Sequence, residues 1–146
     1  MAKVKVKGLG RLSKSLGKDA AKKVSRAIYK QRATIEGEIV ATIFDGKSPV
    51  KGKSFVKYSD SYSKIKGKKR PVDMFLSGKM LKSIKTRITK NFGIRIFFTS
   101  PIAVFHDILG AGKSKVIRRL LPDPAKGETF KPNILKAIRD AAKKAF

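Results

Sequence analysis

The segment HDILGAGKSK, residues 106–115, holds the densest set of residues that could carry chemistry. Its GAGKS portion looks like the end of a phosphate-binding loop, G-x-x-x-x-G-K-[ST], in which glycines let backbone N–H groups surround the phosphates. The first glycine of that pattern would be residue 107, which is Asp107. A carboxylate there repels a triphosphate, and the VIRRLL segment that follows predicts a strand where the motif needs a helix. We therefore expect no nucleotide site.

Other catalytic or metal-binding patterns are sparse. His106 is the only histidine, the chain has no cysteine, and it carries only ten Asp and Glu residues. A multi-histidine or cysteine-based metal site is excluded, and no paired acidic spacing favours general acid–base chemistry. We read His106 as structural and Asp107 as a local cap near a turn. The sequence predicts no catalytic residue, no cofactor and no metal, and hence no enzyme.

The charge is extreme. The chain has 36 Lys and Arg against 10 Asp and Glu, a formal net charge of +26. Such an excess attracts polyanions, so nucleic acid and acidic protein surfaces are the expected partners. Lysine outnumbers arginine 27 to 9, which indicates diffuse electrostatics, because base-specific readout and bidentate phosphate binding favour arginine.

The 146 residues fit one domain, residues 1–146, and the hydrophobic share of 41% is sufficient for a core. The first residues, MAKVKVKG, lack the apolar stretch of a secretory signal. No apolar run approaches the ~20 residues that span a bilayer. We expect a soluble protein, made in a reducing cytoplasm, with no membrane contact.

Local patterns predict an α+β fold, with a long N-terminal helix and a C-terminal helix packed on a small antiparallel sheet. Residues 3–7 alternate like a short strand, and an apolar stripe predicts a helix from about 10 to 43. Ser77 would cap a short helix over 78–84. A hairpin over 85–90 and 94–99 would turn at Asn91-Phe92-Gly93. The remaining elements are a strand at 116–121, a Pro/Gly loop at 122–129, and a helix from about Pro132 to the end.

Residues 45–72 read as an extended basic loop or arm within the domain. They carry nine Lys or Arg residues and two of the chain's six prolines. Aromatic residues either anchor such a loop to the body or stack on bases between the cations, and the sequence leaves both open. The candidate contact residues here are Lys51, Lys53, Phe55, Tyr58, Tyr62, Lys68, Lys69 and Arg70.

The order of these features resembles the virion morphogenesis proteins of tailed bacteriophages, small tail-completion and neck proteins that join head to tail. KVKVKGLGRLSKSL, DGKSP and YSDSYSKIKGKKRP are similar to the family's strand and helix start, its post-helix turn, and its basic loop. LSGKMLKSI (76–84) is similar to its T/S-G-x-[LM]-x-x-S-[IL] segment. IAVFHDILGAG (102–112) and VIRRLLPDPAKGETFKPNILKAI (116–138) resemble its apolar, histidine-containing segment and its closing strand, loop and helix.

The resemblance implies a structural virion protein at the head–tail junction, assembled in the host bacterial cytoplasm as a ring of six or twelve copies. Neighbouring neck, connector or tail proteins would be its partners, with electrostatic contact to DNA as a further expectation. His106, Arg118 and Arg119 join the candidate subunit contacts, because they lie near the corner that precedes the Pro122–Pro124 loop. The alternative is a basic nucleic-acid-binding protein without sequence specificity, using the 45–72 arm.

Overall fold

The computed structural model describes residues 3–5 (backbone only), 17–55, 78–110 and 115–146. Within these ranges the architecture is α+β, as the sequence predicted. The elements are β1 (Lys3–Lys5), α1 (Lys18–Lys30), α2 (Arg32–Phe44), α3 (Lys79–Lys82), β2 (Ile84–Ile88), β3 (Ile94–Phe98), α4 (Pro101–Val104) and α5 (Pro132–Lys143). A π-helical turn, Phe105–Leu109, continues α4, and a 3₁₀ turn spans Pro124–Lys126.

The three strands form one antiparallel sheet in the order β1-β3-β2. The predicted hairpin is confirmed: Ile84 pairs with Phe98 and Ile88 with Ile94 across β2 and β3. Alternation along both strands turns one face inward, and Ile94, Ile96 and Phe98 are fully buried there. The turn differs in one detail, because Phe92 and not Gly93 takes the left-handed backbone conformation, with φ of 57°.

Two helices replace the single helix predicted from about 10 to 43. Gly17 has φ of 88°, so the helix begins at Lys18, and the chain breaks again at Gln31. Arg32 stabilises this break: its Nη1 donates to the Tyr29 carbonyl at 3.0 Å, and its guanidinium lies 4.2 Å from the Tyr29 ring centroid. No helix-breaking residue stands at 29–32, so the break could not be predicted from local sequence. Residues 10–16 lie outside the described ranges.

One core joins the inner sheet face to the helices, with α1 and α2 both packed against α5. The face predicted for the last helix is confirmed, since Ile134, Ile138 and Ala141 are buried and Pro132 occupies its first turn. Each residue of this core is at least nine-tenths buried. The largest of them are Ile28, Ile35, Ile39, Ile43, Ile94, Ile96, Phe98, Leu120, Leu121 and Ile134.

The start of the predicted 45–72 arm belongs to the body. Val50 forms an isolated bridge with Phe130, and the amide N–H groups of Lys51 and Lys131 donate to the carbonyls of Thr129 and Pro49 at 2.9 and 2.8 Å. Ser48, fully buried, donates to the Arg119 carbonyl at 2.6 Å. These bonds anchor residues 48–51 to the rest of the domain, and residues 45–55 contain no helix or strand. Residues 56–72 lie outside the described ranges, and so does Ser77.

Two further segments differ from expectation. The short helix begins at Lys79 after Gly78, and Ile84 already belongs to β2. The strand predicted over 116–121 is wrong: Val116 forms a single β-bridge, and residues 117–121 lie in no described strand. Their backbone groups bond instead to residues 106 and 107, as described next.

Candidate assembly surface

The corner formed by residues 101–110 and 115–121 holds three of the eleven candidate contact residues, His106, Arg118 and Arg119, together with Asp107. Pro101 occupies the first turn of α4, where its missing N–H costs nothing. The helical path ends at Gly110, which has φ of 88°. A Cβ built there would lie 2.3 Å from the Lys115 carbonyl oxygen, so only glycine permits this close approach of two backbone segments.

Asp107 is the centre of this corner. It is 2% exposed, and its Oδ1 accepts the Leu120 amide at 2.7 Å and, more weakly, the Leu121 amide at 3.4 Å. Arg119 Nη1 lies 3.0 Å from the same Oδ1 and also donates to the Asp107 carbonyl at 2.6 Å. The side chain therefore replaces a strand partner for residues 120 and 121, which explains why this apolar run joins no sheet.

Arg119 extends the network to Glu128. Its Nη2 donates to Glu128 Oε1 at 2.7 Å and to the Leu121 carbonyl at 3.0 Å. The same Oε1 accepts the Asp123 amide at 2.9 Å, and Lys53 Nζ lies 4.0 Å from Oε2. Buried charges persist only when they are paired and hydrogen-bonded, as Asp107 and Arg119 are here. The result is a fixed corner whose polar groups point inward.

The pKa values follow from these surroundings. Burial raises the pKa of Asp107 and outweighs the opposing effects of the Leu120 amide and the Arg119 charge. Partial burial also acts to raise the pKa of Glu128, but the Asp123 amide, Arg119 and Lys53 together overcome it and lower that pKa. Burial first, and the nearby Arg118 charge second, lower the pKa of His106 from 6.5 to about 4. His106 is therefore neutral at physiological pH.

Several large apolar side chains of this corner are exposed to solvent. Five side chains between residues 102 and 117 are 47–56% exposed: Ile102, Phe105, Ile108, Leu109 and Ile117. We call this set the 102–117 apolar patch. Ile102, Phe105 and Leu109 follow helical spacing, whereas Ala103 and Asp107 of the same segment are buried. This segment reverses the usual amphipathic arrangement, because its carboxylate is buried and its large apolar side chains are exposed to solvent.

A cleft of about 610 Å³ borders the patch. Ile108 and Ile117 line it together with Lys53 and Lys126, both exposed, and with the Asp107–Arg119–Glu128 network at its floor. Hydrophobic side chains with a charged rim are the composition of protein–protein contact sites. The patch thus combines exposed apolar groups with a fixed backbone beneath them.

The predicted contact residues have different surroundings. Lys51 and Lys53 are exposed, whereas Phe55 packs against the core. His106 is half-buried, with a buried Nδ1 that lacks a hydrogen-bond partner. Arg118 and Arg119 lie inward, Arg118 being 6% exposed, and not at an open edge. Their role as subunit contacts stays a prediction. Tyr58, Tyr62, Lys68, Lys69 and Arg70 lie outside the described ranges.

Sequence reasoning missed the apolar patch itself. The signal was the helical spacing of residues 102, 105 and 109, but a period alone does not say which side of a helix faces the core. Residues 115–121, which follow the GAGKS segment, do not form the helix that a phosphate-binding loop opens. In the part of the chain that the structure describes, no cluster of three His, Asp or Glu residues could hold a metal ion.

No helix among the described residues has the length and apolar character needed to cross a membrane. Comparison of the chain with protein-family models, with curated proteins and with solved structures finds no match.

Proposed function

We propose that this protein is a structural subunit of the neck of a tailed bacteriophage, which joins head to tail as part of a closed homo-oligomeric ring. The order of sequence motifs supports the phage assignment. The 102–117 apolar patch supports an assembly role, because large apolar side chains held outward on a fixed backbone lose their unfavourable hydration only against a partner.

The patch is the observation that carries the proposal. Each of its five side chains is about half exposed, and fully burying one aliphatic or aromatic side chain contributes roughly 1.5–3 kcal/mol. The Asp107–Arg119–Glu128 network holds the backbone under the patch, so little ordering cost is added on contact. A head-to-tail contact between such a patch and a different face of the next copy generates a ring when its rotation closes.

Native mass spectrometry and electron microscopy of the purified protein test this role. We expect closed rings from the wild-type chain and monomers from a Phe105→Asp/Leu109→Asp double variant. Phe146→Asp is the matched control, since Phe146 is 82% exposed and lies outside the patch. Equal assembly of the wild type and the double variant would exclude the patch as the subunit contact.

The phage assignment has its own test. Antibody labelling of intact virions should mark the head–tail junction. Labelling of host proteins alone, with none on particles, would contradict the assignment even if the purified protein forms rings.

A further inference from the structure

The sheet face opposite the core is lined with cations. Lys85 and Arg87 on β2 are exposed, and Arg95 and Phe97 on β3 are half-buried, at positions that alternate with the core residues. The strand register pairs Phe97 with Lys3 and Lys85, and Arg95 with Lys5 and Arg87. These six register positions therefore hold five basic residues and one phenylalanine, and no acidic residue.

A cleft of about 480 Å³ lies at the hairpin end of this face. Its lining residues are Arg87, Ile88, Thr89, Lys90, Asn91 and Arg95, which supply three cations, a hydroxyl and an amide. No described carboxylate forms an ion pair with Arg87, Lys90 or Arg95. Arg95 Nε is buried without a hydrogen-bond partner, and an unmet buried donor of this kind is costly unless an acceptor arrives.

The hairpin turn fixes the rim of this cleft. The Thr89 amide donates to the Gly93 carbonyl at 2.8 Å, and the Gly93 amide donates to Thr89 Oγ1 at 3.1 Å. The Ser25 hydroxyl of α1 donates to the Phe92 carbonyl, so the turn is tied to the helical layer. Lys90 and Asn91 are thus held at the mouth of the cleft by backbone that is already ordered.

We propose that this sheet face binds the phosphate backbone of nucleic acid, with a phosphate group seated among Arg87, Lys90 and Arg95. Neighbouring strands are about 4.8 Å apart and alternate residues of one strand about 7 Å apart, so the described cations of β2 and β3 are closely spaced. Duplex DNA carries one charge per about 1.7 Å of its axis and suits closely spaced cations. The two arginines of the cleft have the planar donor geometry that matches phosphate oxygens.

An acidic protein partner is less well matched. The 102–117 apolar patch offers the exposed hydrophobic groups that a protein contact uses, whereas this face offers only Phe97, half-buried, with the Arg87 guanidinium 5.4 Å from its ring centroid. Binding here is separate from the proposed neck role and does not depend on it. It also lies on the sheet and not in the 45–72 arm, where the sequence placed the nucleic-acid alternative.

Fluorescence anisotropy with a short labelled DNA duplex, over a range of NaCl concentrations, tests the proposal. The site variant is Arg87→Gln/Lys90→Gln/Arg95→Gln. The control, Lys23→Gln/Arg26→Gln/Lys30→Gln, removes the same charge from exposed positions of α1. We expect the site variant to bind DNA at least about tenfold more weakly, and the slope of log binding constant against log salt concentration to decrease in magnitude by about 2–3. The control should change the affinity and the slope far less. Equal losses in the two variants would overturn the proposal in favour of diffuse charge.

Two further measurements sharpen this test. Lys90→Gln alone changes an exposed turn residue, should leave the fold intact, and should reduce the salt slope by about 1. An unchanged slope would contradict a phosphate contact at Lys90. Competition with polyglutamate at equal total charge separates the partner classes. Nucleic acid binding predicts that DNA competes more strongly, and equal competition would overturn the proposal in favour of an acidic protein surface.

Discussion

The pKa of the His106 side chain depends on how the corner around it is packed. Its side chain is half-buried and interacts electrostatically with the positive Arg118, and its carbonyl accepts the Arg118 amide at 2.6 Å. Burial and a neighbouring positive charge both disfavour the imidazolium, so both lower the pKa. The sequence predicted a structural histidine here, and the reason lies in surroundings that only the fold supplies.

The titration of His106 can be followed directly, because it is the only histidine in the chain. We expect its single imidazole resonance in proton NMR to titrate with a midpoint of about 4 in the folded protein, against 6.5 for the free side chain. Between these values the unfolded chain binds a proton that the folded chain does not. Stability therefore falls as the pH drops through this window and is regained above it.

The control for this linkage is His106→Gln, which removes the titrating group. Urea unfolding midpoints of the variant should vary less with pH than those of the wild type, most clearly between pH 6.5 and 5, above the usual range of Asp and Glu. A wild-type resonance that titrates near 6.5 would show that His106 is solvated and that water enters the corner.

At the scale of elements, one carboxylate decides the path of a whole segment. Residues 117–121 have the composition of a strand, but Asp107 accepts the amides that a neighbouring strand would have bonded. This ties the segment to α4 and its π-helical turn, and places Ile117 beside Ile108 in the apolar patch. The patch therefore depends on a buried polar contact between two elements.

Substitution of Asp107 tests this dependence. Asp107→Ala leaves Arg119 without its more deeply buried carboxylate partner and the Leu120 amide without an acceptor, so we expect a loss of about 3–5 kcal/mol in the free energy of unfolding. Asp107→Asn keeps an acceptor oxygen and should cost less than alanine. Its cost is also limited because the raised pKa of Asp107 shows that burial already disfavours the charged form. Urea denaturation measures both variants.

Asp140→Asn is the matched control. Asp140 forms an exposed ion pair with Lys136 one helical turn away, with a 2.8 Å contact between Oδ2 and Nζ, and its loss should leave the unfolding midpoint nearly unchanged. Similar losses for Asp107→Ala and Asp140→Asn would mean that the buried network does not hold the corner.

The elements that sequence predicted best are those set by local pattern. The β2–β3 hairpin and α5 follow from alternation, a turn and a proline-led apolar face, all contained within short windows. The unpaired 117–121 segment and the outward face of residues 102–109 depend on contacts far apart in the chain, whereas the break at Gln31 is stabilised by a contact between near neighbours. The hydrogen bond from Arg32 to Tyr29 joins near neighbours in the sequence. The bonds between Asp107 and Leu120 and between Ser48 and Arg119 join residues much farther apart. No window of sequence contains those pairs.

The whole molecule is governed by its formal charge of +26. Each described ion pair joins a cation to Asp107, Glu128 or Asp140, and most of the described basic side chains take part in none of these pairs. Like charges on a compact body repel and favour the expanded chain. The same repulsion opposes the approach of one copy to another in a ring, and it is relieved by either salt or a polyanion.

Salt should therefore stabilise this protein. Raising the ionic strength from 0.01 to 0.15 M shortens the Debye length from about 30 Å to about 8 Å and screens the repulsion. We expect Tm to rise with NaCl by at least about 3 °C, which corresponds to about 1 kcal/mol for a chain of this size. The Lys23→Gln/Arg26→Gln/Lys30→Gln variant should show a smaller rise, because it begins with three fewer charges. A Tm that falls with NaCl would show that attractive ion pairs dominate, and would remove the electrostatic argument for a polyanionic partner.

A second salt separates general screening from anion binding. At equal ionic strength, sodium sulfate should raise the Tm of the wild type more than NaCl does. The Arg87→Gln/Arg95→Gln variant should lose part of that difference if the sheet cleft holds an anion.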